Sequence, residues 1–351
     1  MQSTMYTQKG RGAQINPPSP FEKLSRGAQV TDPGAATQFI PVRSKRLINE
    51  VDSPDIPHNW SVNPYQGCEH GCVYCYARNT HPYWGYSAGM DFERKVMVKL
   101  DAPRVLEETF QKPSWKASPI MLSGNTDCYQ PAEKHYRLTR QILEVCLKYR
   151  HPVSIVTKNA LILRDLDLLR ELAEYQLVHV AFSITSLQAG LQQILEPRTS
   201  TPEKKLLAIR TLSDAGVPVM VLAAPIIPAI NQQEILPIAR AVAEAGALSF
   251  QHMVVRLNGA LPELFVDWLD RYFPDRKEKV LNGIKSLHGG SLQNSRFGHR
   301  MKGAGNLAVI LAKQAEVARR KYHLNQPMPA LNTSLHAFHK TAQMDLFAQA
   351  C

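Results

Sequence analysis

The chain reads as a parallel α/β fold, on three observations. Six short apolar runs recur along its middle, and segments with apolar residues at helical spacing lie between most of them. The first run leads into a glycine-punctuated loop and then toward a helix, which is how a βα unit opens. Alternation alone permits two architectures, an open barrel of six βα units or a doubly wound sheet.

Taken in order, residues 1–40 hold Gly, Pro, Ser, Thr and Gln with few large apolar side chains, a composition that predicts a disordered basic segment. Strands are expected at 61–65, 119–123, 153–157, 178–183, 217–223 and 248–254. A helix should begin near Ala77, and others at 132–149, with Leu138, Ile142, Val145 and Cys146 on one face, and at 163–175, 202–215 and 233–245. The barrel pattern occupies 41–260. A helical extension follows over 261–325, with helices at 267–273, 277–284 and 304–322 around a basic, glycine-rich loop at 288–303, and residues 326–351 form a flexible tail.

The 351 residues are enough for one α/β barrel with appendages. Six cysteines, three of them crowded into one loop, and no charged-then-apolar leader point to a reducing compartment, with the cytoplasm as the default. The longest apolar run, 217–230, is interrupted by Pro218, Pro225 and Pro228 and is too short to span a bilayer, so no membrane association is expected. A formal net charge of +11 favours polyanionic partners. The mixed cations, glycines and one aromatic of residues 288–303 suit phosphate contact and base stacking, or equally the closing of an open barrel edge.

Cys68, Cys72 and Cys75 follow C-x3-C-x2-C, and short turns let their sulfurs converge on one metal centre. Two readings stay open. A structural zinc ion needs four protein ligands, which calls on His70 or Cys128. A 4Fe-4S cluster held by three cysteines leaves one iron free to bind a substrate or cofactor.

The loop resembles the signature of the radical S-adenosylmethionine superfamily, in which an aromatic residue precedes the third cysteine, as Tyr74 does here. The surrounding NPYQGCEHGCVYCYAR, with Asp55-Ile56-Pro57, Thr126-Asp127-Cys128-Tyr129-Gln130-Pro131 and Glu196-Pro197-Arg198, is similar to the branch that contains spore photoproduct lyase. The likeness runs from Lys9-Gly10-Arg11-Gly12-Ala13 to about Gly305. It implies a partial (β/α)6 barrel, a 4Fe-4S cluster on Cys68, Cys72 and Cys75, and S-adenosylmethionine chelated to the open iron. It also implies an external one-electron reductant and reductive cleavage to methionine and a 5'-deoxyadenosyl radical.

Further site residues follow from the same likeness and from the rule that parallel barrels keep their sites at the carboxyl ends of strands. Tyr74 is expected near the adenine. Ser123, Asn125 and Thr126 stand where the superfamily often has a Gly-Gly-Glu that holds the methionine amino group; Asp127 beside them is a further candidate or a turn residue. Lys158 is placed to pair with the cofactor carboxylate, Ser183 to touch its ribose or methionine part, and Arg198 to serve as a polar site residue or a structural partner of a glutamate. Residues 223–227 are expected as an apolar wall beside the adenine. Cys128 is a shifted candidate for a catalytic thiol hydrogen donor, or a packed side chain.

The expected function is a radical enzyme acting on nucleic acid, DNA in particular, in a lyase-like DNA-repair reaction. Radical modification of RNA or a protein is one alternative, and a non-catalytic nucleic-acid-binding module with zinc or a structural cluster another. In the tail, Gln343-Met344-Asp345-Leu346-Phe347 is similar to the short peptide by which bacterial repair proteins dock on the DNA sliding clamp, with Gln343, Leu346 and Phe347 as anchors.

Overall fold

The computed structural model describes residues 7–19, 21, 36–56 and 59–336. Six parallel strands, Trp60–Val62, Ile120–Leu122, Val153–Thr157, Val178–Ser183, Val219–Ile226 and Ser249–Val254, form one sheet. Their spatial order is their chain order, with Ile48–Glu50 added antiparallel beyond the first. Right-handed crossovers that always step to the next strand place every helix on the same face, whereas a doubly wound sheet must reverse direction once. The order therefore selects the open six-unit barrel.

The strands are apolar runs because both faces are covered: Ile120, Met121 and Leu122 are all buried, and Val153, Ile155, Val178, Val180, Phe182, Val219 and Val221 join them in the main core. The covering helices are amphipathic. Leu138–Lys148 turns Leu138, Ile142, Leu143, Val145 and Cys146 inward, and Pro202–Asp214 starts with Thr201 accepting from the Lys204 N–H and a proline in its first turn. The helix expected over 132–149 is divided, because Arg137 adopts φ 52° between Glu133–Tyr136 and Leu138–Lys148. The stretch after the cysteine loop is a 3-10 helix, Tyr76–Trp84.

Two parts differ from expectation. Residues 7–19 are packed rather than loose: Ala13 is 1% exposed and Arg11 is buried. Composition misleads here because the segment is held by backbone hydrogen bonds to a buried carboxylate rather than by apolar side chains. A separate three-stranded sheet, Gln38–Val42, Lys95–Lys99 and Tyr65–Gln66, backs the cysteine loop and was not foreseen. The extension after the barrel shares its cores. Helix Gly305–Lys321 puts Ala308, Leu311, Ala315 and Ala318 into the main core, while Phe265 and Trp268 of Leu261–Tyr272 pack with Val73 of the cysteine loop and with Ala13.

The loop 288–303 closes the open barrel edge. Val254 donates to the Met301 carbonyl, and Asp55, just before the first strand, accepts from the Gly298 N–H at 2.7 Å and from Arg300 Nε at 2.6 Å. Arg300 is thereby engaged, while Arg296 and Lys302 stay exposed. No described helix is long and apolar enough to cross a membrane.

Candidate active site

The cysteine loop, Lys158, Ser183 and the segment after the second strand all lie at the carboxyl ends of the barrel strands, as a parallel barrel requires. Gly71 sits at φ +69°, and a Cβ on Gly12 would lie 1.6 Å from the Gly71 carbonyl oxygen, so the N-terminal segment meets the loop backbone to backbone. Glu93 fastens the two. Its carboxylate accepts from the Gly12 and Ala13 N–H groups at 3.1 and 2.8 Å and pairs with Arg78 at 2.5 Å, both side chains being 0% exposed. Arg78 in turn donates to the Cys72 carbonyl at 2.9 Å and the Gly89 carbonyl at 2.8 Å. Arg11 of the N-terminal segment spends its guanidinium on the Glu93 carbonyl and Thr37, and burial lowers its pKa to about 10.

Cys68 and Cys72 are buried and Cys75 is half-buried. Burial pushes all three thiols up; Asp127 and the other two thiols add to this at Cys68, and Glu196 at Cys72. Among the described residues no group of three or more histidine, cysteine and acidic side chains is closed around a common metal position. The donor set nevertheless fits a thiolate-held cluster: three soft donors lie on one short loop, Cys72 and Cys75 near enough to bear on the charge of Cys68, and a cationic metal converts such thiols to thiolates. Among the described residues, neither candidate for the fourth ligand that zinc needs, His70 or Cys128, is turned to the three cysteines. His70 turns Nδ1 toward Asp127 at 3.3 Å, an ion-pair distance without hydrogen-bond alignment, and Nε2 to Asn159 Nδ2 at 3.1 Å. Cys128 is 0% exposed within the main core, its thiol pushed well up by burial and its carbonyl held by Thr139. The same placement withdraws the hydrogen-donor role considered for Cys128, since its sulfur meets packed side chains instead of an open cleft.

Beside the loop sits a buried charge cluster. Lys158 Nζ lies 2.9 Å from Glu196 Oε1, 2.6 Å from Ser183 Oγ and 3.4 Å from the Ala224 carbonyl, and 5.6 Å from the centre of the Tyr74 ring. Lys205, 1% exposed, holds the other Glu196 oxygen at 2.9 Å, and Tyr74 and Thr185 hydroxyls also donate to Glu196. Burial opposes charge on Glu196, yet Lys158 and Lys205 keep its carboxyl below the usual carboxylate range; burial opposes charge on Lys158 too, and Glu196 holds it above its ordinary value. Lys158, Lys205 and Glu196 by themselves carry one surplus cation, with the Asp127 carboxylate also bearing on Lys158, which is 17% exposed and faces the Tyr74 ring of the cysteine loop. A cation so fixed suits a carboxylate ligand.

Of the segment after the second strand, Asn125 is half-buried, its Nδ2 donating to Thr80 Oγ1 at 3.3 Å and its N–H to Asn63 Oδ1 at 2.8 Å. Ser123 Oγ accepts from Cys128 N, and Thr126, 2% exposed, donates to the Tyr65 carbonyl, so these two hydroxyls hold the loop together. Asp127 accepts from Thr157 Oγ1 and from the Lys158 and Tyr129 N–H groups, which fixes the turn that carries Lys158. Arg198 pairs with Glu69 at 2.9 Å and donates its N–H to the His70 carbonyl, fastening the cysteine loop from the far side. The wall expected at 223–227 packs Ala223 and Ile226 into the main core and Ile227 into the second; only the Ala224 carbonyl turns to the charge cluster.

Sequence reasoning missed Glu196 as a site residue in its own right, Lys205 and the Arg78–Glu93 pair. Lys205 carried a signal, since it occupies the apolar stripe with Ala208, Ile209 and Leu212, where a lysine is out of place.

Next to Cys75, Tyr76 is 47% exposed with Arg256 5.4 Å from its ring centre; on the closing loop Phe297 is also exposed, with Arg300 4.3 Å from its ring centre.

A family model described as the Radical SAM superfamily matches residues 62–242. The chain is 34% identical over 240 residues to an uncharacterised protein of Mycobacterium tuberculosis, covering 68% of this chain and 71% of the relative. With an uncharacterised protein of Methanocaldococcus jannaschii it shares 28% identity over 245 residues, 70% of this chain and 87% of the relative. Among solved structures, a spore photoproduct lyase mutant with bound AdoMet and dinucleoside spore photoproduct aligns with a TM-score of 0.60 at 16% identity, over 81% of this chain and 78% of the other. That likeness shows a shared fold. The barrel, the cysteine loop and the family match together make this chain a member of the radical SAM superfamily, whose proteins use a 4Fe-4S cluster and S-adenosylmethionine.

Proposed function

We propose that the chain is a radical S-adenosylmethionine enzyme acting on nucleic acid, DNA in particular, in a lyase-like repair reaction, with the cluster held by Cys68, Cys72 and Cys75. A 4Fe-4S cluster held by these thiolates would supply, with an external reductant, the electron for reductive cleavage of S-adenosylmethionine to methionine and a 5'-deoxyadenosyl radical. The observation that carries this reading is the surplus cation at Lys158, fixed by Glu196 and Ser183 beside the cysteine loop. Lys158 receives the cofactor carboxylate and Asn125 takes part in holding its amino group. Ser183, Tyr74 and Thr185 keep Lys158 and Glu196 in place, and the N-terminal segment covers the loop. Among the described residues neither His70 nor Cys128 is turned to the three thiols, which weighs against the zinc module; a cluster on three cysteines would leave one iron open.

The nucleic-acid substrate is supported by the net charge of +11, by the exposed aromatic Tyr76 with Arg256 beside it and the exposed Phe297, and by a shared fold with a lyase whose solved form holds a dinucleoside spore photoproduct. Gln343, Leu346 and Phe347 lie outside the described residues. As a sequence they suit docking on a sliding clamp, which would bring the barrel to DNA without base-specific contacts. The test of the reading is anaerobic reconstitution followed by measurement of iron, sulfide and 5'-deoxyadenosine. Zinc-loaded protein that forms no 5'-deoxyadenosine removes the enzymatic reading.

A further inference from the structure

At the opposite end of the barrel from the cysteine loop, where the first two strands begin, a cleft of about 670 Å³ opens beside the helix Ala102–Phe110. Its volume lies within the range of small-molecule sites. Two indoles, Trp60 and Trp115, stand in its wall with ring centres 5.5 Å apart and planes inclined by 55°. The Trp115 ring is fixed, since its N–H donates to His151 Nε2 at 3.1 Å and its face lies 6.0 Å from Phe110. Around the indoles stand Lys45, Arg46, Lys112 and Lys116. Among the described residues none of these four cations has a carboxylate partner; Arg46 spends only Nε, on the Ile48 carbonyl. The lone acid of the lining, Glu108, is taken by Arg104.

We propose that this cleft is a second binding site, separate from the cofactor site, and that it takes a nucleoside phosphate: the base against Trp60 and Trp115, the phosphate among the four cations. Unneutralised cations grouped around a rigid aromatic wall are complementary to this ligand and to few others, because an apolar ligand leaves the charges unused and inorganic phosphate leaves the indoles bare. The ligand comes either as a free nucleotide or as a nucleotide within a single strand. The site does not depend on the radical chemistry, so it stands or falls separately from the function proposed above.

The test uses the full-length, reconstituted protein carrying Trp84→Phe. Trp268 is 1% exposed, so in that background the indoles open to quenching are Trp60 and Trp115. AMP and an unlabelled oligothymidylate of about eight nucleotides are titrated against indole fluorescence. Saturable quenching is expected, weakened at least tenfold by the double change Lys112→Glu and Lys116→Glu, and at most twofold by Lys134→Glu and Lys313→Glu, which alter net charge equally but lie elsewhere on the surface. Quenching by AMP assigns the cleft to free nucleotides, and quenching by the oligomer alone to strands. Trp60→Leu should lower the remaining quench amplitude and weaken binding, which separates stacking from charge. No saturable quenching by either probe, or equal weakening by the two charge reversals, overturns the proposal. Formation of 5'-deoxyadenosine by the Lys112→Glu, Lys116→Glu protein should stay at the level of the parent, which keeps failure here distinct from failure at the cofactor site.

Discussion

Replacing Glu93 with glutamine keeps the shape of the side chain and removes its charge. Arg78 then stays in the interior at 0% exposure with hydrogen bonds to carbonyls but no counter-ion. Loss of one partner from a buried pair costs about 3–5 kcal/mol, because the remaining charge is left desolvated. The amide also keeps only one acceptor oxygen for the Gly12 and Ala13 N–H groups, which now receive one carboxylate oxygen each. Set against the roughly 5–15 kcal/mol that holds a typical domain folded, the loss is at least about a fifth of the total. Urea unfolding with linear extrapolation measures it, and the midpoint should fall with little change in slope. Hydrogen exchange provides the local reading: the Gly12 and Ala13 amides should lose protection first. Adding Arg78→Met should recover part of the lost stability by removing the orphaned charge. A loss below about 1 kcal/mol, with Gly12 and Ala13 still protected, would refute the idea that this pair ties the N-terminal segment to the cysteine loop.

Lys158→Ala should leave iron incorporation unchanged and weaken S-adenosylmethionine binding at least tenfold, read by titrating the cofactor against the cluster spectrum; an unchanged Kd returns Lys158 to a purely structural role beside Glu196. Burial lowers His81 from an ordinary value of 6.5 to about 4. The unfolded chain therefore binds this proton first, so the stability tied to neutral His81 is complete above pH 6.5 and is lost as pH falls toward 4, by about 3 kcal/mol. His81→Phe should flatten the fall of unfolding free energy between those pH values, and an unaltered pH profile would count against it. A peptide covering residues 339–351 should bind purified sliding clamp and lose binding when Leu346 and Phe347 become alanine; no binding by peptide or whole protein removes the clamp from the proposed function.

The six barrel strands were legible because strands buried on both faces have to be apolar throughout, and the crossover helices because each covers the sheet with one stripe. The architecture was less so: chain-order neighbours in the sheet, which separate a barrel from a doubly wound fold, are a matter of pairing that no local pattern records. The small sheet shows the same limit. Lys95–Lys99 reads Lys-Val-Met-Val-Lys, a short apolar run between lysines, yet its partners Gln38–Val42 and Tyr65–Gln66 lie far away in sequence. Within the site, the cysteine spacing and the strand-end position of Lys158 were readable, because both are set locally. Glu196 and Lys205 were not, since a glutamate and a lysine count as surface residues until each is found as the other's buried partner. Cys128 stayed open between a thiol donor and a packed side chain, because a cysteine in a motif says nothing about which way its turn faces; here Ser123 Oγ and Thr139 hold that turn against the core.

The central claim, that Cys68, Cys72 and Cys75 hold a cluster that reductively cleaves S-adenosylmethionine, is tested most directly by 5'-deoxyadenosine. Protein reconstituted without oxygen, reduced with dithionite and given S-adenosylmethionine should form 5'-deoxyadenosine, while Cys72→Ala carried through the same steps should lose both the cluster absorbance and the product. Product formation by the Cys72→Ala protein, or a wild-type protein that holds the cluster and yields no 5'-deoxyadenosine under reduction, would contradict it.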